Sequence, residues 1–268
     1  MADTITENVE KTTDSDAPVV DSQPVHLSFE EFDFSSVDTG LESMLKSGVH
    51  FGHLKSRLHP SMRPFVHLTR NNLNIIDLEK TNEYLERATS FLSGVVRARK
   101  PVLFVGMKKH THGFIRSLAE RVGEPFVVDR WLGGTLTNFK VIRDRAKYLS
   151  ETAEKLEKGE FDMYTKLERL KKSEEVERLE KKMGGIKGLR DLPGALVVAD
   201  GKEAKLAIRE ARAMGIPVVA IMDTNADAAS VEYPIPGNDD ALSSQRLLLG
   251  AIGRAVSEAK ETAAKESK

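Results

Sequence analysis

Three kinds of residue in this chain could do chemistry: strand-end carboxylates, a basic loop after an apolar run, and a group of histidines. Asp129, Asp200 and Asp223 each follow an apolar stretch of strand length, and the carboxyl edge of a parallel sheet is where α/β folds bind ligands. Such carboxylates suit acid–base work. An Asp at a strand end is also an ordinary turn former or helix cap, and no nucleophile or base stands near these three at a recognisable spacing. "GMKKHTHG", residues 106–113, offers a phosphate the free N–H groups of a helix start. It has neither the G-x-G-x-x-G nor the G-x-x-x-x-G-K-[ST] pattern, so Lys108 and Lys109 read either as contacts to a nucleic-acid phosphate or as an exposed basic helix start. His50, His53, His59 and His67, with His110 and His112, invite a metal. No carboxylate or cysteine lies at a conventional ligand spacing, so neither a metal nor another cofactor is expected.

Two further stretches suggest binding. In "HFGHLKSRLHPSMRPF", residues 50–65, Lys55, Arg57, His59 and Arg63 sit among Gly, Pro and Ser and alternate with Phe51 and Phe65. Cations supply the charge attraction to a phosphate backbone, and aromatic or guanidinium faces stack on unpaired bases. A solvated basic loop is the structural alternative. "DRWLGGTLTNFK", residues 129–140, holds the only Trp, beside Arg130, Asn138 and Lys140, with Arg70, Arg143 and Arg145 in similar connectors or first helical turns. Trp131 is read as packing at the sheet rim and fixing the Gly133–Gly134 turn, so that Arg130, Asn138 and Lys140 keep one orientation; the alternative is that it only fills the core.

The elements that must position these residues follow from periodicity. "LESMLKSG" puts Leu41, Met44 and Leu45 on one helical face and ends at Gly48, while Gly52 marks a turn in "HFGH". "PFVHLTRNNLNIIDL" predicts a hairpin around Asn71-Asn72. "TNEYLERATSFLSGVVRARK" is an amphipathic helix, and "PVLFVG", "PFVVD", "ALVVAD", "IPVVAIMDT" and "EYPIP" are strand-like runs separated by helices. That alternation predicts a doubly wound parallel sheet with helices on both faces. "NDDALSSQRLLLGAIGRAVSEA" closes the chain as a helix capped by Asn238 or Asp239. From 144 to 185 the stripes Ala146, Leu149, Ala153, Leu156 and Leu167, Leu170, Val176, Leu179, Met183 predict an inserted coiled-coil hairpin. The resulting division is an acidic extension at 1–40, the α/β domain at 41–143 and 186–260, the hairpin at 144–185, and a flexible tail at 261–268.

Composition narrows the function classes. With no cysteine there is no disulfide, thiolate metal site or cysteine nucleophile. No apolar run is long enough for a membrane span and no leader is visible, so a cytoplasmic protein without a membrane partner is expected. The net charge of -1 hides an asymmetry: residues 1–40 hold ten acids and one base, which leaves 31 acids and 39 bases, a net of +8, for residues 41–268. Such a body attracts polyanions. The extension, including "HLSFEEFDF", is read as a disordered acidic tail with a possible short docking stretch.

The blocks "GVHFGH", "HPSMRPF", "NIIDLEKT", "DRWLGGTLTNFK", "MGGIKG", "LPGALVVAD", "GIPVVAIMDTNAD" and "IPGNDDA" stand in an order that resembles the universal small-subunit ribosomal protein S-two family, in its bacterial or organellar form, over about residues 41–258. The resemblance implies a flavodoxin-like α/β domain with an inserted hairpin. It also implies a structural role in translation: binding rRNA and neighbouring ribosomal proteins in the small subunit, and helping to recruit the large mRNA-binding ribosomal protein numbered one. No enzymatic activity and no small-molecule substrate accompany it. The competing readings are an enzyme that binds a phosphate ligand at Asp200 and Asp223, and an adaptor that uses the hairpin and acidic tail.

Overall fold

The computed structural model describes residues 37–159, 161 and 163–266, so the acidic extension up to residue 36, with its phenylalanines, lies outside the described residues. A short helix, α1 (Leu41–Lys46), leads into a small antiparallel sheet of β1 (Phe51–Leu54), β2 (Val66–Arg70) and β3 (Leu73–Ile76), in the order β1-β3-β2. The β2–β3 hairpin turns where the sequence predicts, because Asn71 and Asn72 adopt φ of 49° and 62°. The long helix α2 (Leu78–Arg97) starts at Asp77, whose side chain accepts from the Glu79 amide, and buries Leu85, Ala88, Leu92 and Val96 along one face.

The alternation continues as β4 (Val102–Gly106), α3 (His112–Val122), β5 (Phe126–Val128), α4 (Phe139–Glu157), α5 (Lys166–Met183), β6 (Ala195–Val198), α6 (Lys205–Ala213), β7 (Val218–Met222), β8 (Tyr233–Pro236) and α7 (Leu242–Glu266). All five strands from β4 onward pair in parallel, in the order β5-β4-β6-β7-β8. This is the doubly wound, flavodoxin-like arrangement, in which the chain steps outward from β4 to β5 and then crosses back to β6. The strand period of two assigns the faces. Val102 and Phe104 join one buried cluster with α2, α3 and α7, whereas Leu103 and Val105 join a second cluster with α6.

The second cluster is completed by less regular pieces. It includes Met62 and Phe65 from a 3-10 segment, Trp131 and Leu136 from the connector after β5, and Ala146, Leu149 and Met183 from the helical hairpin. The hairpin therefore grows out of the layer on one sheet face. It begins before residue 144, because Phe139 and Ile142 extend the stripe of Ala146 and Leu149 by one further turn and also pack on this cluster. Its distal half departs from a coiled coil. Leu167 and Leu170 are 61% and 56% exposed, since they stand alone among Lys and Glu in the first turns of α5, too few to close a seam; Thr165 and Glu168 hold that end through a capping box. Only Val176, Leu179 and Met183 reach the core.

At the C-terminus, α7 runs on to Glu266, past the expected end at 260, because Glu261 to Glu266 includes Ala263, Ala264 and Lys265, all good helix formers. Asn238 Oδ1 accepts from the amides of Asp240 and Ala241 at 2.9 and 3.2 Å, which caps the turn leading into α7. No helix among the described residues is long and apolar enough to cross a membrane.

If the hairpin is rooted in the second cluster, Leu149→Ala, at a fully buried position, should cost about 2–5 kcal/mol, whereas Leu167→Ala should stay within about 0.5 kcal/mol. Urea unfolding of the full chain measures both, and equal effects would contradict this anchoring.

Candidate nucleic-acid interface and the carboxyl edge

The connector from Asp129 to Asn138 lacks regular secondary structure, yet it is closely tied. Trp131 is 6% exposed and its indole Nε1–H donates to Glu210 Oε1 at 3.2 Å. The same carboxylate accepts from the amides of Gly134 (2.8 Å), Leu136 (3.0 Å) and Thr137 (3.3 Å). Gly134 has φ of 89°, a backbone conformation that favours glycine. Glu210 thus does for this turn what a helix or strand ladder does elsewhere: it satisfies backbone donors that would otherwise be buried unpaired. Burial pushes its carboxyl upward, but the four N–H donors outweigh that and hold it below the usual 4.5.

Trp131 is therefore buried in the core and shares its carboxylate partner with the glycine turn. Arg130, Asn138, Lys140, Arg143 and Arg145 flank this anchor with exposed side chains. Glu210 was not singled out from sequence. Its signal is faint: a carboxylate at the edge of the apolar arc made by Ala204, Ala207, Ile208 and Ala211.

The first basic stretch becomes β1 and two 3-10 segments. Gly52 is required by a close approach, since a Cβ there would lie 2.6 Å from Thr224 Cγ2 and 3.0 Å from the Asn74 carbonyl oxygen. The amide of His59 donates to the Thr224 carbonyl, and its ring meets Ser61 Oγ at 2.7 Å. Lys55, Arg57 and Arg63 remain exposed, as does Arg70 at the end of β2. Phe51 is 49% exposed, but Phe65 is buried against the edge of Tyr84, so only the first ring is open to a base.

Lys108 and Lys109 part company. Lys109 is exposed. The Lys108 ammonium turns inward to Asp239 Oδ1 (2.6 Å) and Asp240 Oδ1 (2.7 Å). Burial opposes its charge, yet these carboxylates raise its pKa above the usual value. Asp239, a candidate cap in the sequence, serves as this ion-pair partner instead. Asp200 follows β6 and accepts from the amides of Met107 and Lys108 at 2.9 and 3.3 Å. The N–H groups that a phosphate would need at the switch point of the sheet are thus already donated to a protein carboxylate. Burial pushes Asp200 up to about 6, against the pull of those amides. Asp239 is likewise pushed up to about 6, by burial and then by neighbouring Asp223. His53 Nδ1 lies 2.8 Å from Asp223 Oδ2, and this hydrogen bond raises the imidazole above its usual value. His112 Nε2 lies 3.1 Å from the Met107 carbonyl oxygen and 3.3 Å from the Asp129 amide, and its tautomer decides which of the two it bonds.

Some exposed cations have a carboxylate partner in the chain and others do not. Lys46, Lys147, Lys158 and Lys181 each pair with a glutamate on their own helix. Lys55, Arg57, Arg63, Arg70, Lys109, Arg130, Lys140 and Arg145 form no ion pair among the described residues, and Arg143 only leans on adjacent Asp144 at 3.8 Å.

Residues 44–259 match the family model described as Ribosomal protein S2. The small ribosomal subunit protein uS2 of Roseiflexus castenholzii is 46% identical over 218 residues, covering 81% of this chain and 83% of the relative. That of Coprothermobacter proteolyticus is 45% identical over 221 residues, covering 82% of each.

Replacing Glu210 by Ala strands the Trp131 indole and three amides, with an expected loss of about 3–5 kcal/mol, against about 1 kcal/mol for Trp131→Phe, which removes one donor. Because the folded pKa is depressed, the charge stabilises fully above the unfolded value near 4.5 and its contribution fades as the pH falls through the lower folded one. Denaturant unfolding of both variants from pH 7 down to pH 3 should show the gap between wild type and Glu210→Ala narrowing; a gap that widens with acid would contradict the arrangement.

Proposed function

The chain belongs to the ribosomal protein S2 family and is a small-subunit ribosomal protein, and from that premise we propose that it is a structural component that grips rRNA through phosphate contacts. The observation that carries this reading is the set of eight exposed cations, in and beside the basic loop and the Trp131 connector, that form no ion pair among the described residues. Cations kept apart from the chain's own carboxylates retain their full attraction for a polyanion. The contact residues we propose are Lys55, Arg57, His59, Arg63, Arg70, Lys109, Arg130, Asn138, Lys140, Arg143 and Arg145, with Gly52, Trp131, Gly133 and Gly134 holding the turns. Lys108 drops out of the set because its charge is neutralised inside the protein.

Protein partners fit a different part of the molecule. Met163, Tyr164, Leu167 and Leu170 are 95%, 54%, 61% and 56% exposed near the far end of the hairpin, an apolar cluster that suits a neighbouring ribosomal protein better than a phosphate backbone. Recruitment of the large mRNA-binding ribosomal protein numbered one belongs to the same proposal. The amides of Met107 and Lys108, committed to Asp200, support a structural component over an enzyme that binds a phosphate ligand at this edge.

Phosphate contacts make affinity depend on salt. For single-stranded or duplex rRNA, the logarithm of the binding constant should fall with the logarithm of salt by about 0.7–0.9 per contact. Filter binding of the full chain to small-subunit rRNA is expected to give a steep slope, lowered by about 1.5 in Arg57→Ala/Arg63→Ala and unchanged in Lys147→Ala/Lys181→Ala. A flat wild-type slope, or an equal loss in both double variants, would contradict the assignment.

A further inference from the structure

The carboxyl edge of the parallel sheet gathers side chains that neither the core nor the proposed RNA contacts employ. His53 comes from β1, Asp223 follows β7, and Asp239 and Asp240 lie between β8 and α7. Each presents one ligand atom, and all four atoms lie within 4.8 Å of one another. Lys108 holds the Oδ1 atoms of Asp239 and Asp240, which leaves their Oδ2 atoms. Asp240 Oδ2 is 3.4 Å from His53 Nε2. Asp239 is 1% exposed, and its Oδ2 is buried without a hydrogen-bond partner.

Charge balance points the same way. Buried Asp200, Asp223 and Asp239 with exposed Asp240 bring four negative charges, and Lys108 with a protonated His53 brings two positive ones, so acids outnumber their paired cations among the described residues. Buried charges of one sign are tolerated when paired or when they coordinate a metal. The imidazole is also set up as a ligand. When Asp223 accepts the Nδ1 proton, the free lone pair sits on Nε2, toward Asp240; this is the carboxylate–histidine pairing that orients metal-binding imidazoles.

We infer that His53 Nε2 and the Oδ2 atoms of Asp239 and Asp240, with Asp223 orienting the imidazole through Nδ1, form a binding site for one divalent cation of the zinc class. An imidazole nitrogen among carboxylate oxygens suits zinc better than magnesium or calcium, which favour oxygen alone. In tetrahedral zinc with bonds of about 2.1 Å, neighbouring ligand atoms stand about 3.4 Å apart, the spacing already found between His53 Nε2 and Asp240 Oδ2. The most distant ligand atoms must close inward. The cation would clip β1, and with it the basic segment that follows, to the edge of the parallel sheet. Lys108 keeps its place on the Oδ1 side as counter-ion.

The test uses the full chain, stripped with chelator, desalted, and titrated calorimetrically with zinc chloride and separately with magnesium chloride. The expected result is one zinc per chain with a Kd of about 1 μM or below, and magnesium weaker by about 100-fold or more. Asp240→Asn, at a side chain 62% exposed, and His53→Gln should each weaken zinc by about tenfold or more while circular dichroism stays unchanged. Three results would overturn the site: no zinc uptake by folded wild type at about 100 μM, uptake untouched by both substitutions, or magnesium binding more tightly than zinc.

Discussion

One buried carboxylate, Glu210 on α6, holds the connector whose basic side chains surround the only tryptophan. It accepts from the Trp131 indole and the amides of Gly134, Leu136 and Thr137. Without it, that connector would carry several buried donors and no partner for them. With it, an irregular stretch becomes as fixed as a strand, and Arg130 and Asn138 leave it in set directions. Rigid presentation reduces the entropy that must be given up on binding.

The sheet makes this possible by treating its two faces differently. On one face α2, α3 and α7 form a regular layer around Phe104, Val197 and Val219. On the other, α6 shares the layer with the 3-10 segment of Met62 and Phe65, the Trp131 connector and the root of the hairpin. The irregular segments are therefore part of a core layer, and their polar residues emerge from it. Charge is divided as well. Lys46, Lys147 and Lys181 each sit beside a glutamate four residues away, whereas Arg57, Arg63, Arg130 and Lys140 form no ion pair among the described residues. The carboxyl edge shows a third pattern, in which acids outnumber bases in a mostly buried space.

Much of the fold was legible because its signals are local. Alternating apolar runs and amphipathic helices announce a doubly wound sheet, and Asn71-Asn72 announces its hairpin. The packing of the helical hairpin was less legible, since a heptad-like stripe does not reveal which residues reach the core: Phe139 and Ile142 do, and Leu167 and Leu170 do not. Sites assembled from distant segments were the least legible. Glu210 meets Trp131 across 79 residues, and Asp223 meets His53 across 170, so no spacing rule applied within one stretch could join them. Lys108 illustrates the converse case: its neighbours in sequence suggest an exposed basic helix start, and only the fold brings Asp239 and Asp240 beside it.

Hydrogen exchange at the amides of Gly134, Leu136 and Thr137, compared between wild type and Glu210→Gln, addresses the central claim most directly. Glutamine keeps the size of the side chain but loses its charge and one acceptor oxygen. The account predicts exchange faster by about tenfold or more at these three amides, with the strands of the parallel sheet unchanged. Equal protection in the two proteins would mean that packing alone holds the connector, and the carboxylate would lose the place given to it.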